Sequence, residues 1–116
     1  MQRKFRLTRS EDFKRVRRSG KSYAHPLVVL IVQTNDQPRV KIGVAAGRTV
    51  GTAVHRNRAK RLLREAMRAL LPSIPSNLDL ILIARPGLVT ATLEETRQAL
   101  LTLLERAKIL IPTNES

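Results

Sequence analysis

The sequence predicts an α/β fold, a small sheet with helices packed on one face, an α/β sandwich. Three observations predict it. Apolar, β-branched runs of strand length fall at 27–32, 40–46 and 78–84. Helix-start signals open at Thr8, Thr52 and Thr92. Helical periodicity fills the segments that follow them, so helices alternate with strands instead of forming a block of their own.

Taken in order, Thr8-Arg9-Ser10-Glu11 has capping-box spacing, Asp12 adds an acid to the first turn and Gly20 is a natural stop, which predicts a helix from about 9 to 19. Residues 27–32 follow as a strand. Thr34-Asn35-Asp36-Gln37-Pro38 reads as a hairpin loop, and 39–46 as the return strand. In that strand Val40, Ile42, Val44 and Ala46 alternate with Arg39, Lys41, Gly43 and Ala45, giving one core face and one small, basic face. A loop from Gly47 to Gly51 contains Arg48, and Thr52 caps a helix over about 53–71. Pro72 to Asn77 connects to a strand over 78–84 that Arg85-Pro86-Gly87 ends. Thr92-Leu93-Glu94-Glu95 repeats the capping-box spacing before a last helix, and Pro112 to Ser116 reads as a frayed tail.

Composition narrows the partner. The chain has 116 residues, one domain's length, with an ordered core expected over about 5–108 and a tail from 109. It carries a formal charge of +13 and a pI near 11.7. Self-repulsion of that size implies an anionic partner, with nucleic acid leading. The charge is also unevenly placed: residues 1–21 hold nine Lys/Arg and 53–71 hold six, whereas 72–116 hold four against five acids. A general bias toward basic residues would not leave the C-terminal third neutral. Without cysteine there is no disulfide frame and no Cys-based zinc site, which suits a reducing cytosol and a cytoplasmic protein. The apolar runs fall far short of the ~20 residues of a membrane helix.

The helix over 53–71 carries the strongest functional signal. At about 100° per residue, Ala59, Leu62, Leu63, Ala66 and Leu70 share one arc, while Arg56, Asn57, Lys60, Arg61, Arg64 and Arg68 share a neighbouring one, with Arg58 just outside. Arg56, Lys60, Arg64 and Arg68 repeat at four-residue steps, so like charges repel along the helix instead of pairing. Arginine forks pair bidentately with phosphate and release counterions, so this arc is the expected phosphate-contacting face. Phe13 and Tyr23 each suit either a core or a base-stacking role. Catalytic inventory is thin: His25 precedes a proline, His55 projects toward the apolar arc, and Asp12, Asp36 and Asp79 are scattered without a metal-ligand pattern. On charge and fold class alone, a structural rRNA-binding protein and a DNA-binding helix module stay open, although nothing resembles a helix-turn-helix.

The stretch Gly51-Thr52-Ala53-Val54-His55-Arg56-Asn57-Arg58-Ala59-Lys60-Arg61-Leu62-Leu63-Arg64-Glu65 resembles the "RNR" signature of the bacterial ribonuclease P protein family, and similarity extends over about residues 5–108. The resemblance implies an α/β sandwich of the ribosomal-protein-like type, order αβββαβα, with a left-handed βαβ crossover. It further implies a subunit that binds a catalytic RNA and precursor tRNA, with no obligate protein partner. The RNA, with Mg²⁺ bound mainly by it, removes the 5′ leader, and no residue of the protein is catalytic. By position, Arg56, Asn57, Arg58, Lys60, Arg61, Arg64 and Arg68 with Arg48 would contact RNA, and Phe13, Arg17 and Ile31 would line a leader-binding cleft. The family often has aromatics where this chain has Arg17 and Ile31, and Ser-Lys-Lys where it has Gly47-Arg48-Thr49. The resemblance therefore implies leader binding that leans on charge and fit more than on stacking.

Overall fold

The structure, a computed structural model, describes residues 5–109. The elements run α1 (Ser10–Ser19), β1 (Lys21–Ala24), β2 (Val28–Thr34), β3 (Val40–Ala46), α2 (Ala53–Leu70), β4 (Leu78–Ala84) and α3 (Leu93–Arg106), the order αβββαβα. They form a four-stranded sheet in the order β1-β2-β4-β3. β1 and β4 each pair antiparallel with β2, and β3 pairs parallel with β4. The short strand β1, Lys-Ser-Tyr-Ala, is mostly exposed and has no apolar run to announce it.

The expected hairpin between β2 and β3 does not form, because β4 lies between them. β4 is buried along nearly its whole length, and a strand apolar on both faces belongs in the middle of a sheet. The loop after β2 therefore ties to the start of β4 instead of closing on itself: Asn35 N–H donates to the Asn77 carbonyl at 2.8 Å, and Asn77 N–H to the Arg39 carbonyl at 2.9 Å.

Helices cover both faces, not one. Val28, Leu30, Val40, Ile42, Leu78, Leu80 and Leu82 join residues of α2 and α3 in the main core. The alternate residues Ile31 and Ile81 join Leu7 and Val16 of the N-terminal segment in a second, smaller core. On α2 the buried arc is Ala59, Leu63, Ala66 and Met67, while Leu62 and Leu70 are half-buried, so the helix is rolled further toward its cations than the leucines suggest.

Helix ends follow local chemistry with one exception. Thr92 and Glu95 form the expected capping box, with reciprocal bonds of 3.0 and 2.9 Å. Thr52 Oγ1 accepts from His55 N–H at 3.4 Å. At α1 the expected box is absent: the cap is Arg9, without a side-chain bond, and Glu11 and Asp12 complement the helix dipole instead. Gly20 ends α1 in an extended conformation, and close approach requires glycine there: a Cβ would stand 2.5 Å from the Val16 carbonyl oxygen and 2.7 Å from Ile31 Cγ2. At the far end Ile109 N–H donates to the Leu104 carbonyl at 3.2 Å and packs on the main core; the rest of the expected tail lies outside the described residues.

Candidate nucleic-acid interface

The cations of α2 divide by what they touch. Among the described residues Arg56, Lys60, Arg61 and Arg64 have no acid or carbonyl partner, nor has the exposed Arg48 in the turn Arg48–Val50 that precedes the helix. Arg56, Lys60 and Arg64 are half-buried beside the core arc, as long basic side chains are when their stems cover apolar surface. Asn57 and Arg61 are exposed. Two members of the predicted set have internal partners. Arg58 Nε donates to the Val89 carbonyl at 3.1 Å, tying α2 to the turn after β4, and Arg68 forms a 2.8 Å ion pair with Glu65. At the head of the helix Val54 is 73% exposed, the one large apolar side chain so exposed among the described residues. His55 does not enter the apolar arc; it is exposed and its ring lies over Gly51, where φ is 133° and a Cβ would meet Nδ1 at 2.7 Å.

Arg6 joins this surface, a residue the sequence placed only among general N-terminal cations. It bridges to Ile42 on the free edge of β3, and Leu7 N–H donates to the Ile42 carbonyl at 2.8 Å. Arg6 and Arg64 thereby share a recess of about 220 Å³ with Phe13 and Ile42. Burial, and then the charge of Arg6, push the Arg64 guanidinium below its ordinary value, while Arg6 Nε is buried without a partner. Two guanidiniums held together without an acid make a place for an anion.

The α1 face of the sheet is built in rows set by strand register. Gln33, Asp79 and Lys41 form a polar row. Ser22, Ile31, Ile81 and Gly43 form the next, roofed by α1. Phe13 packs on Gly43 so closely that a Cβ there would stand 2.4 Å from Cζ. Ala24, Val29, Ile83 and Ala45 form the last row, in which Val29, Ile83 and Ala45 are half-buried. This open row lies at the end of β3 and β4 from which Arg48 and the exposed Arg85 leave. The predicted cleft residues are thus placed differently from one another. Phe13 is half-buried at the edge of α1, and Arg17 is exposed. Ile31 is 5% exposed and lines no open cleft, since Val16 and Gly20 pack over it; Val29 and Ile83 offer the accessible apolar surface instead. Tyr23 packs on the main core with Lys21 Nζ 5.8 Å from its ring centre.

Asp12 and Asp79, scattered in sequence, converge on Arg15. Its Nη2 donates to Asp79 Oδ2 at 2.8 Å and to Asp12 Oδ1 at 3.3 Å, and its Nη1 donates to Gln33 Oε1. A lone acid inside the apolar run of β4 was the signal in the sequence that such a partner exists. His25 Nδ1 accepts from Leu27 N–H at 3.0 Å, a turn-forming role. No group of three or more His, Asp or Glu side chains suited to a metal ion occurs among the described residues, and no helix among them is long and apolar enough to cross a membrane.

Comparison with known proteins matches this arrangement. The family model for ribonuclease P covers residues 1–108. The ribonuclease P protein component of Herpetosiphon aurantiacus is 43% identical over 109 residues, spanning 94% of this chain and 89% of that protein. That of Brevibacillus brevis is 40% identical over 111 residues, spanning 95% and 88%. Among solved structures, the RNase P protein of Staphylococcus aureus superposes with a TM-score of 0.80 at 28% identity, over 91% of this chain and 97% of that one. The RNase P protein of Thermotoga maritima gives 0.77 at 30% identity, over 87% and 96%. With the family model spanning nearly the whole chain, and both sequence and fold agreeing, the chain belongs to the ribonuclease P protein family.

Proposed function

We propose that this protein binds the catalytic RNA of ribonuclease P and the 5′ leader of precursor tRNA, and so assists removal of the leader in the cytoplasm. The observation that carries the reading is the set of cations gathered on one helix face, Arg56, Lys60, Arg61 and Arg64 on α2 with Arg48 before it, none of which has an acid partner among the described residues. Their mutual repulsion is offset when phosphates replace the missing acids. Arg58 contributes by holding α2 against the turn after β4, and Asn57 is free to bond a base edge or a 2′-hydroxyl.

The leader fits the α1 face. Phe13, Val29 and Ile83 provide an apolar surface, and Arg17, Arg48 and Arg85 stand around it to meet backbone phosphates. With one half-buried aromatic and aliphatic neighbours, this surface favours charge and fit over base stacking and so tolerates many leader sequences. Only precursor carries a leader, so contacts made here favour precursor over product. In this reading Mg²⁺ is held mainly by the RNA, where it would supply Lewis-acid and water-activating chemistry, and the protein's part is binding. What the protein does is screen repulsion between two polyanions and hold the leader.

The test is cleavage of a precursor tRNA by bacterial ribonuclease P RNA at low Mg²⁺, with and without this protein and with an Arg56→Ala/Arg61→Ala variant. Wild type should lower the Mg²⁺ needed for cleavage, and the variant should not. Tight RNA binding with no change in Mg²⁺ demand would instead indicate a structural rRNA-binding protein.

A further inference from the structure

We propose that Asp79 is a positioning residue for leader recognition: through Arg15 it sets how α1 lies on the sheet, and thereby shapes the gap that holds the leader. The inference rests on the leader reading given under Proposed function.

Helix α1 has little else to hold it. It is ten residues long, Val16 is its one buried side chain, Phe13 is half-buried and its N-cap makes no side-chain bond. Such a helix has no deep apolar stripe to fix its roll or its slide along the strands. Asp79 supplies what is missing. It is 1% exposed on β4, an interior strand of the sheet, and both of its oxygens are used: Oδ2 by Arg15 at 2.8 Å and Oδ1 by Asn35 Nδ2 at 3.0 Å. Gln33, opposite Asp79 in the β2–β4 register, takes the other arm of the same guanidinium. A planar fork is thus seated on a pair of acceptors fixed across two adjacent strands, a geometry a flexible ammonium would not reproduce. Asp12, one turn earlier on α1, holds the fork from the helix side at 3.3 Å.

Arg15 therefore has a different task from the other cations of α1. Two carboxylates compensate it, and the hydrogen bond to Asp79 is the largest cause of a guanidinium raised above its ordinary value. Arg17, two residues on, is exposed. At about 100° per residue the two arginines lie on opposite flanks of the line through Val16 and Phe13. Tying the Arg15 flank fixes the roll of the helix, and the roll decides how Phe13 sits on Gly43 and where Arg17 projects. The tie is at the polar row, Phe13 is on the middle row and the open apolar row lies beyond, so a small rotation at the tie displaces the wall of the gap. Buried ion pairs contribute little net stability compared with apolar replacements; what this one adds is a defined geometry.

The experiment uses holoenzyme assembled from the full chain and bacterial ribonuclease P RNA, with wild type, Asp79→Asn, Arg15→Gln and Arg15→Lys. KM and kcat are measured on a precursor tRNA with a ten-nucleotide leader and on one with a single-nucleotide leader, at a temperature where circular dichroism shows each variant folded. Asp79→Asn and Arg15→Gln should raise KM for the long-leader substrate about tenfold, as expected for one lost oriented contact set. They should leave kcat, the single-nucleotide substrate and affinity for the RNA subunit unchanged, and Arg15→Lys should fall between. If Asp79→Asn does not fold, Arg15→Gln decides, since Arg15 lies at the surface end of the pair. Equal losses on both substrates, a loss in kcat alone, or full discrimination retained by the variants would overturn the positioning role. A wild-type holoenzyme indifferent to leader length would overturn the leader reading, and this inference with it.

Discussion

Gly43 shows how an absent side chain shapes the α1 face. The Phe13 ring lies where its Cβ would be, 2.4 Å from Cζ, so the ring can pack against the sheet there because residue 43 has no side chain. Gly43→Val should displace that ring and cost about 1–3 kcal/mol by overpacking, read from chemical denaturation. Gly47 is the internal contrast. Nothing lies within 4 Å of a Cβ there and its φ is −82°, so Gly47→Ala should be neutral or stabilise by up to about 1 kcal/mol by restricting the unfolded chain. The two glycines read alike in sequence, because close approach to Phe13 is a tertiary fact. Asp79 was better signalled: an acid inside an apolar strand requires a partner, although only the fold names Arg15.

At the scale of the element, α2 unites two jobs that its sequence presents as one. Arg58 and Arg61 belong to the same basic run, yet Arg58 bonds the Val89 carbonyl and Arg61 is exposed without a hydrogen-bond or ion-pair partner among the described residues. Arg58→Ala should lower stability by about 1 kcal/mol, the net worth of a typical hydrogen bond, measured by thermal or urea unfolding. Arg61→Ala should leave stability unchanged and reduce the slope of log affinity for RNA against log salt by about 0.7–0.9, one phosphate contact. The amphipathic division of this helix was legible from spacing; Met67 and the half-burial of Arg56, Lys60 and Arg64 were not, because the roll of the helix is set by β3 and α3. The reverse holds for α1, where capping-box spacing at Thr8 suggested a start that the chain does not use. There the segment before the helix is drawn to the edge of β3 by the bond from Leu7 N–H to the Ile42 carbonyl, and the helix opens after Arg9.

For the whole molecule, a formal charge of +13 makes two opposite salt responses necessary. Raising NaCl from about 50 to 500 mM should raise the melting temperature of the free protein by screening self-repulsion, and over the same range weaken its RNA binding through counterion competition. A melting temperature that falls with salt would mean that internal ion pairs such as Arg15–Asp79 outweigh the repulsion. The sequence by itself determined the strands and helices longer than a few residues, the apolar stripe and cationic stripe of α2, and the family, since these depend on periodicity and on residue types within one turn or one strand. Only the tertiary structure decided that β4 enters between β2 and β3, that α1 covers the opposite face from α2 and α3, and that Ile31 is roofed while Val29 and Ile83 stay open. Pairing order and the choice of face are settled by competition among distant segments for buried positions, and that competition leaves no mark on local spacing.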